Sequence, residues 1–117
     1  MPSRRTQRVN DLLRDRLSEL LQRGLKDPRV QGLVTITSVE VSPDFATARV
    51  FVSVLGTPEE SKATLQGLRS AAGFLHRSMD DLALRRVPDL VFIPDDSLER
   101  GARLLRIMGQ IHHDEDK

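Results

Sequence analysis

TPEESKATLQGLRSAAGFLHRSMDDLALRRV, residues 57–87, is the stretch whose reading decides the fold. Its start is marked three times. Thr57 can accept hydrogen bonds from the first turn of a helix, Pro58 suits the first helical position, and Glu60 completes a capping box. Leu65, Leu68, Ala72, Leu75, Met79 and Leu82 then recur at steps of three and four, which makes one apolar helical stripe. Ala71-Ala72-Gly73 falls into the middle of it. A mid-helix glycine costs roughly 1 kcal/mol relative to alanine, so the helix either bends there or is approached closely by other backbone. Beyond the break the polar positions are His76, Arg77, Arg85 and Arg86. A kinked helix with a small-residue joint and cationic flanks is therefore expected at the centre of the chain.

Working outward, the segment before the kinked helix supplies a helix and a hairpin. Val9, Leu12, Leu13, Leu17, Leu20, Leu21 and Leu25 line one face of a helix over about 6–25, stopped by Gly24 and Pro28. Residues 1–5, with Arg4 and Arg5, are expected to form a flexible basic tail. Residues 33–42 read as a strand whose alternation slips near Thr37-Ser38, the signature of a bulge. Ser42-Pro43-Asp44 is a turn, and Ala46, Ala48, Val50, Val52 and Val54 then alternate with Thr47, Arg49, Phe51 and Ser53 as a second strand. After the kinked helix, Leu90-Val91-Phe92-Ile93 between two prolines fits a buried or edge strand. Asp95-Asp96-Ser97 opens a last helix with Leu98, Ala102, Leu105, Met108 and Ile111 on one face, and residues 112–117 are expected to be disordered. The resulting order is an α+β single domain over 6–111, with helices covering one face of a three-stranded sheet. The other face is then solvated or available to a partner.

Composition limits the function. With 117 residues, 38% hydrophobic and 30% charged, the chain suits one globular domain. No apolar run nears the roughly 20 residues of a membrane span, and the N-terminus lacks the apolar centre of a signal peptide, so a cytoplasmic location without membrane partners is the expectation. The absence of cysteine excludes disulfides and thiolate metal sites. The three histidines, His76, His112 and His113, make no catalytic set or metal spacing, and no P-loop or dinucleotide fingerprint is present. Asp95-Asp96 is read as a helix-start pair and Asp80-Asp81 as a solvated helix face. These readings point away from an enzyme, and no catalytic residue, metal or cofactor is assigned. The net charge of +1 conceals an asymmetry: residues 1–29 carry eight Lys/Arg against four Asp/Glu, and residues 62–86 five against two. Such a distribution hints at a polyanion-binding face on the first and kinked helices.

Nucleic-acid readers that stack bases on exposed aromatics are disfavoured, because the chain has four Phe and no Trp or Tyr. Recognition of a backbone by cations and helix ends remains. The KH domain uses a Gly-x-x-Gly link between two helices in this way, and Ala71-Ala72-Gly73 stands at a comparable joint. The helix-strand-strand-helix-kink-helix-strand order resembles a type II KH arrangement, here with an extra C-terminal helix. The Ala-x-Gly joint is similar to that of the ribosome-binding factor A family of bacterial small-subunit maturation factors. Gln7-Arg8-Val9, Lys26-Asp27-Pro28-Arg29, Ser38 through Asp44, Ala71-Ala72-Gly73-Phe74-Leu75, Arg86-Val87-Pro88-Asp89-Leu90 and Asp95-Asp96-Ser97 carry the resemblance over residues 4–111.

That resemblance implies a non-enzymatic factor, monomeric when free, which binds free 30S subunits and 16S rRNA near its 5′ region. It would assist late small-subunit maturation and rRNA processing, with most effect in the cold. Candidate RNA contacts are Arg4, Arg5, Arg8, Arg29, His76, Arg77, Arg85 and Arg86, while Ala71, Ala72 and Gly73 shape the kink. The rival reading is a protein–protein adaptor that uses the open sheet face or an exposed helix stripe. It predicts salt-tolerant binding that ignores Arg77, Arg85 and Arg86.

Overall fold

The structure, a computed structural model, describes residues 3–30 and 33–95. Helix α1 spans Arg4–Arg23, strands β1 and β2 span Leu33–Val41 and Thr47–Leu55, and helices α2 and α3 span Pro58–Ser70 and Ala72–Arg77. A 3-10 turn at Asp80–Leu82 leads to β3, Asp89–Pro94. β2 is the central strand, antiparallel to β1 and parallel to β3. The parallel pairing requires a crossover, and α2 with α3 supplies it. α1 lies along β1, and α2 and α3 lie over β3, so the helices share one face of the sheet. This is the KH-like arrangement that the residue order implies. The last helix expected from Ser97 lies outside the described residues, as do Asp96 and the segment 112–117.

The core follows the apolar periods. Val9, Leu13 and Leu17 are buried on α1, and Ile36, Val39, Val41, Ala48, Val50 and Val52 on the first two strands. From the kinked helix come Leu68, Leu75 and Met79, all fully buried, with Leu65, Ala72 and Leu82 packed partly against them. The bulge lies where the alternation slips: the register shifts between Ile36 and Ser38, leaving Thr37 as the extra residue. Thr37 Oγ1 then reaches Asp95 Oδ2 at 2.6 Å, fastening the bulge to the end of β3. β3 is not a continuously buried run. It alternates, with Leu90 and Phe92 inward and Val91 outward, because its second face is the open side of the sheet.

Several boundaries differ from the periodicity, each for a local reason. The segment read as a flexible tail is helical from Arg4, because Ser3 caps α1 by accepting the Thr6 N–H at 3.2 Å. The same helix stops at Arg23, with Gly24 at φ 87° closing it. The kinked helix ends at Arg77 and not near Val87. Buried Met79 holds the stripe's phase, but the chain tightens into the 3-10 turn, and Ala83 at φ 57° reverses it. Arg85 and Arg86 therefore lie on an exposed non-helical segment before β3.

The kink is at Ala71, as expected, and Thr57 and Glu60 form both arms of the capping box. The close backbone approach, however, is at a different glycine. A Cβ on Gly73 would meet only the guanidinium tip of Arg77, at 3.5 Å, whereas one on Gly67 would lie 2.7 Å from Val30 Cγ2. Gly67 is buried against the turn that follows α1, and Thr64, one turn earlier, donates to the Arg29 carbonyl at 3.2 Å.

Candidate nucleic-acid interface

Cations from two distant segments, Arg5 and Arg86, approach the hairpin turn between β1 and β2. Asp44 Oδ1 accepts from the Ser42 hydroxyl and the Ala46 N–H, and this closure holds the next residue, Phe45, in the left-handed region at φ 59°. The Phe45 ring is then presented to α1, whose Arg5 guanidinium sits 5.3 Å from its centroid. Such a stack contributes roughly 0.5–1 kcal/mol when exposed and orients the cation. Asn10, buried one turn further on, accepts the Val41 N–H at 2.9 Å, so the first turns of α1 are fixed to the end of β1. On its other side the turn meets the segment before β3. The Asp89 N–H donates to the Ala46 carbonyl, and the charge of Arg86 is felt at Asp44. Asp44 is held below the ordinary carboxylate range, first by the Ser42 hydroxyl, then by the Ala46 N–H, and least by Arg86.

The structure therefore brings Arg5 and Arg86 to one end of the sheet, with Arg4 and Arg8 on the exposed side of the same helical turns and Arg85 beside Arg86. Arg4, Arg8, Arg77, Arg85 and Arg86 are exposed, and none makes an ion pair among the described residues. These five arginines are open to an anionic partner.

Two candidates occupy different positions. His76 is half-buried, and its Nε2 lies 3.0 Å from the Val87 carbonyl and 4.0 Å from Asp89, so it ties α3 to the residues that carry Arg85 and Arg86. Arg29 follows the opposite end of α1 from the hairpin turn and is engaged locally: its Nε and Nη2 donate to Asp27 at 3.0 and 2.6 Å. Asp27 is pulled down to about 2, first by the Arg29 side chain and then by the Arg29 N–H. A carboxylate depressed in the folded state stabilises the fold fully above its unfolded value of 3.8, and that contribution is lost as pH falls toward about 2. Carboxyl NMR should show Asp27 titrating near 2, and Asp27→Asn should remove that part of the acid sensitivity; titration near 3.8 would show that the clamp does not form in solution.

Asp81 is no simple solvated face either. Arg16 on α1 donates to it at 2.5 Å and to the Ser78 carbonyl at 3.3 Å, joining α1 to the turn after α3. Asp81 is accordingly held low, chiefly by that hydrogen bond. No local pattern marks this pair, Arg5 over Phe45, or Asn10 at Val41, since each links positions far apart in the chain. Among the described residues no group of three His, Asp or Glu could hold a metal ion, and no helix is long and apolar enough to cross a membrane. The arrangement presents exposed arginines on a helix and on the segment before β3, which suits binding to phosphates.

The comparisons with known proteins identify the family and its fold. The family model described as ribosome-binding factor A matches residues 5–108. A ribosome-binding factor A from Dictyoglomus thermophilum is 44% identical over 108 residues, covering 92% of this chain and 90% of that protein. The crystal structure of ribosome-binding factor A from Thermus thermophilus superposes with a TM-score of 0.65 at 28% identity, covering 76% of this chain and 94% of that one. A homology model of the Thermus thermophilus factor, fitted into the cryo-EM map of a complex with the 30S subunit, superposes with a TM-score of 0.59 at 30% identity, covering 74% and 91%.

Proposed function

The chain belongs to the ribosome-binding factor A family, and from that premise we propose that it is a non-enzymatic assembly factor acting on the free 30S subunit. The family match over residues 5–108 carries the reading, since it spans both the kink and the cations around the hairpin turn. A relative placed in a 30S complex makes the small subunit the partner to test first.

In this reading the protein works by occupancy. Arg4, Arg5, Arg8, Arg77, Arg85 and Arg86 neutralise phosphates of 16S rRNA near its 5′ region, and each neutralised phosphate releases counterions. The rigid α+β frame then holds that rRNA segment during late maturation and keeps the immature subunit out of translation. The benefit is largest in the cold, where misfolded RNA rearranges slowly. Because the net charge is only +1, long-range steering is weak and selectivity comes from the shape of the contact. Cytoplasmic location follows from the partner.

The test is co-sedimentation of the purified chain with 30S, 50S and 70S particles across a salt series. Retention on free 30S that falls steeply with salt is the expected result, and no retention on 30S at any salt overturns the reading. The adaptor alternative has its own support in the open sheet face, where Val91 is 43% exposed near Phe51 and the Glu40–Arg49 pair. It predicts retention that is insensitive to salt.

A further inference from the structure

The four aromatic rings have different fates. Phe92 is buried, Phe45 lies under Arg5, and Phe51 has Arg49 at 5.8 Å from its centroid. Among the described residues, Phe74 alone of the four rings combines large exposure, 54%, with no cation over its face. It follows the kink directly, one residue off the apolar stripe that buries Leu75, and so it projects away from the core.

Phe74 is also not on a flat surface. It lines a groove of about 460 Å³ together with Ala71, Ser70 and the turn Gly24, Leu25, Lys26 and Asp27. That volume lies within the roughly 300–1,000 Å³ of small-ligand sites. The floor is apolar, and the rim carries Lys26, which is exposed and makes no ion pair among the described residues. Arg77, one turn beyond the kink, folds its guanidinium back beside Gly73. Asp27, the acidic group among the described residues that line the groove, is already closed by Arg29.

We propose that Phe74 is a stacking platform for one unpaired nucleobase of the bound RNA, with Lys26 and Arg77 meeting the flanking phosphates. The proposal rests on the 30S-binding reading above and adds a second, aromatic point of contact to the cations at the hairpin turn. Charge complementarity selects the occupant. An apolar slot with Lys26 on its rim, and Arg77 one turn along α3 from Phe74, fits a base between phosphates, whereas an apolar protein segment would bury Lys26 without a partner. A single ring is sequence-tolerant, because every base has a π-face, so the platform fixes where an unpaired nucleotide lies and not which base it is.

The test compares Phe74→Leu with the parent chain in 30S co-sedimentation across the same salt series. Leucine keeps the apolar contact and removes the stacking face, and its side chain sits where the parent ring is half exposed, so thermal melting should be unchanged. The expected result is about a tenfold loss of 30S affinity with the salt slope retained. A parallel experiment places photoreactive benzoylphenylalanine at position 74 and irradiates the 30S complex, which should cross-link to 16S rRNA. Equal affinity of Phe74→Leu and the parent overturns the platform while leaving the assembly-factor reading intact. Cross-linking to a ribosomal protein also overturns it and assigns the groove to a protein contact. Failure of the parent chain to bind 30S removes both.

Discussion

Replacing Gly67 with alanine should destabilise this protein by up to about 2 kcal/mol, while the same change at Gly73 should be neutral or stabilising. Both are helical glycines, and propensity alone favours alanine at each by roughly 1 kcal/mol. Contacts separate them. A Cβ on Gly67 would stand 2.7 Å from Val30 Cγ2, 3.3 Å from Arg29 Cβ and 3.4 Å from the Val30 N. A valine methyl on a short branched side chain cannot swing away, so the turn carrying Val30 must move. Overpacking of this kind costs about 1–3 kcal/mol and outweighs the propensity gain. Displacing the turn also strains the Thr64 hydrogen bond to the Arg29 carbonyl. A Cβ on Gly73 meets only a mobile guanidinium at 3.5 Å, and its φ is not in the left-handed region. Thermal denaturation distinguishes the two, since about 1 kcal/mol corresponds to roughly 4–8 °C in Tm for a domain near this size. A fall in Tm for Gly73→Ala with none for Gly67→Ala would show that the joint, and not the α2–turn contact, sets the packing.

The contrast shows where sequence reading succeeds and where it stops. Period and capping are local, so the boxed start at Thr57, the inward stripe through Leu68, Leu75 and Met79, and the bulge at Thr37 are all legible from neighbours in the chain. Gly67 carries no local mark. Its need for a missing side chain arises from Val30, distant in the chain and brought in only once the turn after α1 packs on α2. The interface divides in the same way. The abundance of arginine near the chain start and after the kink is visible in the sequence, but whether a given arginine is available depends on its acceptor. Arg29 is taken by Asp27 two residues before it, a pairing that spacing permits but does not require. Arg16, which no sequence pattern singles out, bonds Asp81 across 65 positions. Phe74 is discounted with the other aromatics in the sequence, because composition counts rings without saying which are covered.

Arginine availability leads to the second large effect: Arg85→Ala combined with Arg86→Ala should weaken 30S binding by about 10- to 100-fold near physiological salt. Each substitution should lower the slope of log affinity against log salt by about 1. The two side chains lie on an exposed segment whose backbone is held at both sides, by Ala83 reversing the chain before them and by His76 on the Val87 carbonyl after them. Their charges are therefore displayed by a fixed frame, and neither makes an ion pair among the described residues. Removing them deletes phosphate neutralisation without removing core, so melting should change little. Arg29→Ala supplies the opposing case. It releases Asp27 and the turn beneath Gly67, so it should lower Tm while leaving the salt slope of 30S binding unchanged. If Arg29→Ala reduces the slope and the Arg85/Arg86 double variant does not, the phosphate contacts lie along the turn after α1 and not at the hairpin end of the sheet. The Lys26–Phe74 groove would then be the centre of the RNA interface, because that turn forms one of its walls.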